Sequence, residues 1–436
     1  MKKIRLATVF SGIGAIEHAL ERLNYPYEIV FASDNGEIEL SQSEEEIKND
    51  MVKLGLKTNS EKREYIDELY IKSRKTNYVE QSYFANYDIK KENFYQDVRF
   101  IDGYEYRGTV DLFVGGSPCQ SFSMVGKRGG FNDTRGTLFY EYARLVKEIQ
   151  PKVFIYENVR GLLSHDGGNT WEIMKNVFSE LGYDWDYKVM NSKNYGVPQS
   201  RERIYVVGIK KGLKHQKFEF PEEVDLETTM KSYLESNVAE KYYLGKKGIE
   251  FVTNHNNLMK KYTQINGKIA LCETKNQQFN WHGDFRFEPF TSIDSDEGKE
   301  IAEKYYLSEK LVNYVMSPGT KGFYSKPEID LDIARPLLST MMKMHRAGVD
   351  NYVTTAGRIR RLTPRECLRL MGFSDTFEIV VSDTQAYKQA GNSIVVDVLM
   401  RILINLVETE VWKQVDVEEI ALFWNSAIIS AKLARH

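Results

Sequence analysis

Residues 110–131 read VDLFVGGSPCQSFSMVGKRGGF. An apolar strand pattern runs into two glycines and then Pro118-Cys119. That arrangement presents a thiol at the C-terminal edge of a sheet, where open α/β folds place their chemistry. Cys119 lacks the apolar neighbours of a packed cysteine, whereas Cys272 and Cys367 read as inert core thiols. The next strand pattern ends in Glu157-Asn158-Val159 and brings a carboxylate to the same edge. A thiolate can add to an electron-poor ring while a carboxylic acid protonates a ring nitrogen. An ordinary thiol is mostly protonated at neutral pH, so the site must raise its thiolate fraction. In QSRER, Arg201 and Arg203 lie two apart on extended chain, so both can point at one anion or carbonyl.

A second group of residues suits a ligand rather than a reaction. FSGIGA, from Phe10, sits between a strand and a helix pattern, and glycines there let the backbone approach a ligand at a helix N-terminus. The spacing is not GxGxxG, and a tight turn with no ligand explains the loop equally well. Asp34 ends the second strand pattern, a position suited to a ribose hydroxyl pair. Asp97, in FYQDV, can accept from an adenine amino group or serve as an ordinary loop acid. Together the three point to an adenosine-containing cofactor.

These residues need a scaffold. Residues 4–10, 27–32, 110–116, 152–159 and 203–209 are near-continuous apolar strand patterns, separated by helical patterns such as 138–149 and 171–181. They indicate βαβ units and a buried parallel sheet. Residues 36–83 are rich in Glu and Lys, with helix-start signals at Ser43 and Asn59, and read as a solvated helical insertion. From about 212 to 357 the alternation is lost, which marks a separate lobe. Residues 241–286 of that lobe carry eight Lys or Arg against three acids, among many Asn, Gln and aromatics. Such a stretch can read bases and phosphates or simply form a solvated face. A second basic cluster comprises Lys343, Arg346, Arg358, Arg360, Arg361, Arg365 and Arg369. Helical patterning returns at TPRECLRLMGF and ends in SIVVDVLMRILINLV, a long amphipathic helix whose polar stripe is Asp397, Arg401 and Asn405.

Composition narrows the classes further. The 436 residues carry 59 Lys+Arg against 62 Asp+Glu, a net charge of −3, so a nucleic-acid surface has to be local. Mean hydropathy is −0.46, and no apolar run approaches the ~18 residues of a membrane span. The early glycines argue against a signal peptide. Three cysteines, odd and sparse, suit a reducing cytoplasm without a disulfide framework.

FSGIGA, GGSPCQSFS, RGTLF, ENV, QSRER, RRLTPRECLRLMGF and YKQAGNSI follow one another in the order of the DNA (cytosine-5) methyltransferase family, which this chain resembles over nearly its whole length. The resemblance leaves out the insertion and the variable lobe. It implies an α/β, Rossmann-like S-adenosylmethionine-dependent methyltransferase domain with a smaller target-recognition domain. The boundaries would be 1–211 for the catalytic domain, 212–357 for target recognition, and 358–436 for the return to the catalytic domain. Phe10, Gly12, Ile13, Gly14, Asp34 and Asp97 would bind S-adenosylmethionine, with Leu138 against it and Asn392 and Ser393 closing the site. Cys119 would attack carbon 6 of cytosine, Glu157 contact ring nitrogen 3 and the exocyclic amine, and Arg203 hold the carbonyl with Arg201 in support. Gln120 and Ser123 would lie in a mobile loop, with Lys127, Arg128 and Arg135 near phosphates.

The resemblance further implies a monomeric bacterial or phage enzyme that needs no metal and acts on double-stranded DNA with the target base flipped out. Its functional partner would be a restriction endonuclease. A transfer-RNA cytosine methyltransferase of the same fold is the nearest rival, but the lobe of about 145 residues suits groove reading. A silent DNA-binding homologue would not need Cys119, Glu157 and Arg203. A nicotinamide dehydrogenase leaves Pro118-Cys119 and QSRER unexplained. The Asp/Asn-Pro-Pro-aromatic motif of amino methyltransferases is absent, which disfavours adenine as the target.

Overall fold

β-Branched and aromatic runs interrupted by glycine produce a seven-stranded sheet in the order β3-β2-β1-β4-β5-β7-β6. Its strands are β1 (Ile4–Val9), β2 (Tyr27–Ser33), β3 (Phe94–Tyr95), β4 (Leu112–Gly115), β5 (Val153–Val159), β6 (Tyr183–Asn191) and β7 (Glu202–Lys210). The computed structural model describes residues 3–118, 138–235, 243–244, 263–265, 283–285, 327–341, 347, 349–355 and 358–412.

The first five strands are parallel. β7 is not: it runs antiparallel to β5, which corrects the expectation of a wholly parallel sheet. A parallel return needs a crossover of a dozen residues or more, commonly a helix. The link from Asn191 to Glu202 holds only a short 3-10 turn at Ser192–Tyr195. β6, at the sheet edge, alternates charged and apolar residues in YDWDYKVMN, the period-two pattern of a half-exposed strand and unlike the continuous apolar runs of the inner strands. β3, two residues long, has no periodic signal at all.

Helices α1 (Ala15–Arg22), α5 (Leu138–Ile149) and α6 (Asn169–Glu180) follow β1, β4 and β5 and supply apolar faces to the sheet. Phe154 lies in the resulting core, its ring stacked on Phe178 at 5.7 Å and edge-on to Tyr183 at 5.1 Å. Its partner across the β5–β7 ladder is Gly208, which leaves the space that the ring fills.

The insertion is helical, as its caps suggest. α2 (Glu44–Leu54) and α3 (Asn59–Lys72) each start with a complete capping box, Ser43/Glu46 and Thr58/Glu61. α4 (Tyr78–Asn86) follows and extends past the expected end at 83. Ile38, Ile47, Met51, Ile66 and Tyr70 bury themselves with Phe100, so the insertion has its own apolar seam.

The chain divides into two compact units. One holds Met1–Met190, Glu202–Glu222 and Leu399–Ala431, and the other Asn191–Arg201, Glu223–Val398 and Lys432–His436. In the second unit, β8 (Tyr243–Leu244), β11 (Tyr352–Thr355) and β12 (Arg358–Arg361) form an antiparallel sheet in the order β11-β12-β8. β9 (Thr263–Ile265) and β10 (Gly283–Phe285) pair in parallel. Helices α7 (Pro364–Leu370) and α8 (Asp383–Asn392) follow, and then α9 (Val396–Glu408). Residues 383–408 are long and apolar enough to cross a membrane by composition. Ser393 is extended, however, and divides them into helices of 10 and 13 residues, each short of a span.

Behind the β1–α1 loop, Glu17 is fully buried. Its Oε1 accepts from the Tyr83 hydroxyl at 2.6 Å and from the Thr8 hydroxyl at 3.1 Å. Burial pushes its carboxyl up to about 7, against the opposing pull of the Tyr83 hydrogen bond. The folded state therefore holds this proton more tightly than the unfolded chain. The stability it contributes is complete below the ordinary value of 4.5 and is lost as pH rises through about 7. Between about pH 5 and about pH 8, urea unfolding should show Glu17→Gln gaining ~2–3 kcal/mol on the wild type. Equal pH dependence in the two proteins would contradict this account. A Cβ added at Gly208 would meet the Phe154 ring at 2.1 Å. Gly208→Ala should therefore cost ~1–3 kcal/mol, with part of the loss recovered when Phe154→Leu is added, read from a double-mutant cycle.

Candidate active site

Where β1 ends, Phe10 (φ 53°), Gly12 (φ 53°) and Gly14 (φ 76°) turn the chain sharply into α1. Gly14 has no alternative: a Cβ there would sit 2.2 Å from the Tyr87 ring, whose hydroxyl donates to the carbonyls of Ile13 and Gly14. Gly12 is the opposite case, with nothing within 4 Å of where its Cβ would be. Its N–H donates to Asp34 Oδ2 at 2.9 Å, and the Gly36 N–H donates to Oδ1 at 2.9 Å. Asp34 is thus placed by backbone donors from both sides, directly beside the open backbone of the glycine loop. Phe10 and Leu138, the latter opening α5, are both half-buried against the main core, and Ile13 is buried.

Asp97 follows β3, the strand that pairs with β2, and the Asp34 N–H donates to the Tyr95 carbonyl. The Asp97 carboxylate is heavily engaged. Arg99 grips it through Nε at 2.9 Å and Nη2 at 2.6 Å, and the Tyr70 hydroxyl of α3 lies 3.4 Å from Oδ2. It also accepts from the Arg99 N–H and so caps a 3-10 turn. The structure therefore places Asp34 and Asp97 on adjoining strand ends and shows the Asp97 carboxylate engaged by Arg99 and Tyr70.

The β4–β5 edge carries the second group. Gly116 lies so close to β5 that a Cβ would meet the Glu157 carbonyl at 2.8 Å and its Oε2 at 2.9 Å. Next to it, the Ser117 hydroxyl lies 2.7 Å from the Tyr156 hydroxyl. The Asn158 amide donates to Tyr156 Oη at 2.8 Å and to the Ser117 carbonyl at 3.0 Å. All three residues are buried, so this network anchors the chain just ahead of Pro118. Ser117 and Tyr156 carry no sequence signal for this role. Cys119, Gln120, Ser123, Lys127, Arg128 and Arg135 lie outside the described residues.

Glu157 Oε1 meets Arg203 Nε at 3.2 Å, with both side chains largely buried. The register explains the contact: Arg203 faces Val159 and Tyr205 faces Glu157, so the pair is diagonal across an antiparallel ladder. Arg201 goes elsewhere. Within the second unit its guanidinium donates to the carbonyls of Leu337 at 3.1 Å and of Gly391 and Ser393, each at 2.9 Å. The structure thus gives the two arginines different partners instead of one shared anion. Gln199 carries no sequence signal for a site, yet it is fully buried. It donates to the Leu370 carbonyl and accepts from the Leu337 N–H.

Asn392 ends α8, and Ser393 follows as a buried residue. Gly391, just before them, permits an approach that any Cβ would block, 2.0 Å from the Ser339 nitrogen. Of the second basic cluster, Arg369 is held bidentate by Asp375 at 2.8 and 2.7 Å, and Arg365 donates to the Ser374 carbonyl. Lys343 and Arg346, and the side chains of Arg358, Arg360 and Arg361, lie outside the description. In α9, Asn405 donates to the Glu219 carbonyl. Cys367 is fully buried, as a packing thiol would be, whereas Cys272 is not described. Among the described residues, no group of three His, Cys, Asp or Glu is placed to hold a metal ion.

Comparison with known proteins identifies the family. The profile described as C-5 cytosine-specific DNA methylase matches residues 51–408. The orphan methyltransferase M.SPRI of Bacillus phage SPR is 31% identical, over 95% of this chain and 100% of its own. The type II methyltransferase M.HhaI of Haemophilus parahaemolyticus is 33% identical, over 68% of this chain and 75% of its own. The type II methyltransferase M.HpaII of Haemophilus parainfluenzae is 36% identical, over 66% and 68%. Among solved structures, the S. pombe Dnmt2 methyltransferase superposes with a TM-score of 0.53 at 16% identity, covering 93% of this chain and 98% of its own, which speaks to the fold alone. The methyltransferase sheet, the GGSPC and ENV edges and these relatives converge: the chain belongs to the C-5 cytosine-specific DNA methylase family and is a DNA (cytosine-5) methyltransferase.

Proposed function

We propose that this enzyme methylates carbon 5 of a flipped-out cytosine within a short duplex sequence, with Cys119 as nucleophile and Glu157 and Arg203 holding the base. The observation that carries the reading is the Glu157–Arg203 contact of 3.2 Å, at the sheet edge where the chain leads through Gly116 and Ser117 toward Cys119. A carboxyl group and a guanidinium side by side match a cytosine edge: Arg203 would donate to the carbonyl, and Glu157 would engage ring nitrogen 3 and the exocyclic amine. The Cys119 thiolate would form a bond to carbon 6 as Glu157 supplies a proton to nitrogen 3, giving carbon 5 enamine character. Once carbon 5 has gained a methyl group, loss of its proton, expulsion of the thiolate and release of the nitrogen-3 proton would restore the aromatic ring. The face of a stacked base is closed to a thiolate, so the cytosine would leave the duplex at a cost of ~a few kcal/mol.

S-adenosylmethionine, when bound, supplies the electrophilic methyl group. The open space at Gly12 beside the backbone-held Asp34 fits such a ligand, with room at the glycine loop and an acceptor for ribose hydroxyls. Phe10, Ile13, Gly14 and Leu138 would line the same pocket, Asp97 would face the adenine amine, and Asn392 and Ser393 would close it. Arg201 would act in support, by holding the carbonyls of Gly391 and Ser393. Residues 212–357 would read the target sequence. The enzyme would work as a cytoplasmic monomer whose marks protect DNA from a restriction endonuclease.

A duplex carrying 5-fluorocytosine at the target tests the covalent step, because fluorine replaces the proton that has to leave carbon 5. The adduct should survive denaturing electrophoresis, require S-adenosylmethionine, and vanish in Cys119→Ser but not in Cys367→Ser. Glu157→Gln should slow its formation strongly. An adduct at full rate without Cys119 would overturn the mechanism. Exchanging residues 212–357 for those of a relative should change the sequence modified, as mapped by bisulfite sequencing, while Cys119 trapping persists. An active chimera with the original specificity would place base reading elsewhere.

A further inference from the structure

Among the side chains that tie the insertion back to the sheet, Asn77 reaches both strand ends that carry the acids. Asn77 caps α4, its Oδ1 accepting from the Val79 and Glu80 N–H groups at 3.0 Å each. That fixes the orientation of the amide, since its NH2 must point the other way. The two remaining hydrogens go to the Asp34 carbonyl and to Gln96 Oε1, each at 2.8 Å. One buried amide therefore ties the end of β2, where Asp34 stands, to the residue immediately before Asp97. Gly36 makes room for it: a Cβ there would lie 2.3 Å from Asn77 Oδ1.

α3 reinforces the same region, with Tyr70 at the Asp97 carboxylate. The buried Asn59 exchanges hydrogen bonds with the N–H and carbonyl of Asp102, at 2.7 and 2.8 Å. The inserted helices thus pack against the two strand ends that carry the acids.

We infer that Asn77 is a positioning residue for the cofactor, acting through Asp34 and Gln96 to set the spacing of the ribose and adenine acceptors. The inference rests on the reading of Asp34 and Asp97 as cofactor residues. It assigns the insertion a role in cofactor affinity and none in the chemical step.

The test uses the full-length chain with S-adenosylhomocysteine as calorimetric ligand, alongside steady-state kinetics and thermal melting. Asn77→Asp and Asn77→Ser both keep a helix-capping oxygen and remove the amide donors. Each should weaken S-adenosylhomocysteine binding and raise KM for S-adenosylmethionine by about tenfold. The kcat at saturation and the KM for DNA should stay close to wild type, while the melting temperature should fall, because two acceptors lose a buried donor. Ser43→Ala, which removes only the α2 cap, should lower the melting temperature and leave ligand affinity unchanged. Unchanged affinity in both Asn77 variants would overturn the inference, as would an equal loss of affinity in Ser43→Ala. Asp34→Ala separates the two levels. If it weakens binding while the Asn77 variants do not, only the inference falls. If it does not weaken binding, the cofactor reading falls with it.

Discussion

The antiparallel pairing of β7 with β5 is the constraint on which the site depends. Five parallel strands send their C-terminal ends to one edge, and that edge receives the glycine loop, Asp34, Asp97, Gly116 and Glu157. A sixth parallel strand beside β5 would have brought its last residues there. Because β7 is reversed, it brings its first residues instead, and Arg203 meets the end of β5 two positions beyond Glu157. Shifting this register by one residue would turn Arg203 to the other face and leave Glu157 without its partner.

Close approach is the second theme. At Gly14, Gly116 and Gly391 a Cβ would collide with a ring, a carbonyl or a main-chain nitrogen at 2.0–2.8 Å. These glycines let pieces of chain lie against one another so that polar groups are satisfied by backbone. Asp34 receives two N–H groups, the Ser117 carbonyl receives the Asn158 amide, and Arg201 is spent on three carbonyls. Groups held this way need not reorganise when a ligand arrives, which is the condition for an electrostatically prepared site.

The two arginines of QSRER show how far proximity in sequence can mislead. Two residues apart on extended chain share a face only where the chain continues straight as a strand. Here β7 begins at Glu202, and Arg201 precedes it. One guanidinium stays with the second unit and the other enters the sheet. The same motif therefore serves structure at Arg201 and, in the proposed mechanism, chemistry at Arg203.

Much of this protein was legible in its residues because the relevant forces are local. Strand runs, the helix at 138–149, the capping boxes of the insertion and the glycine turn into α1 all depend on neighbours within about one helical turn. The order of seven short motifs carries the family because each is a local run of residues that can be read without its tertiary partners. Other features depend on partners far away in sequence. The direction of β7, the Ser117–Tyr156–Asn158 network, the divergence of Arg201 from Arg203 and the grip of Asn77 on Asp34 join residues 39 to 192 positions apart or lie between strands. No periodicity marks such contacts. They exist only once the sheet has ordered its strands, because only then does burial make an unsatisfied amide, hydroxyl or guanidinium costly enough to select one partner.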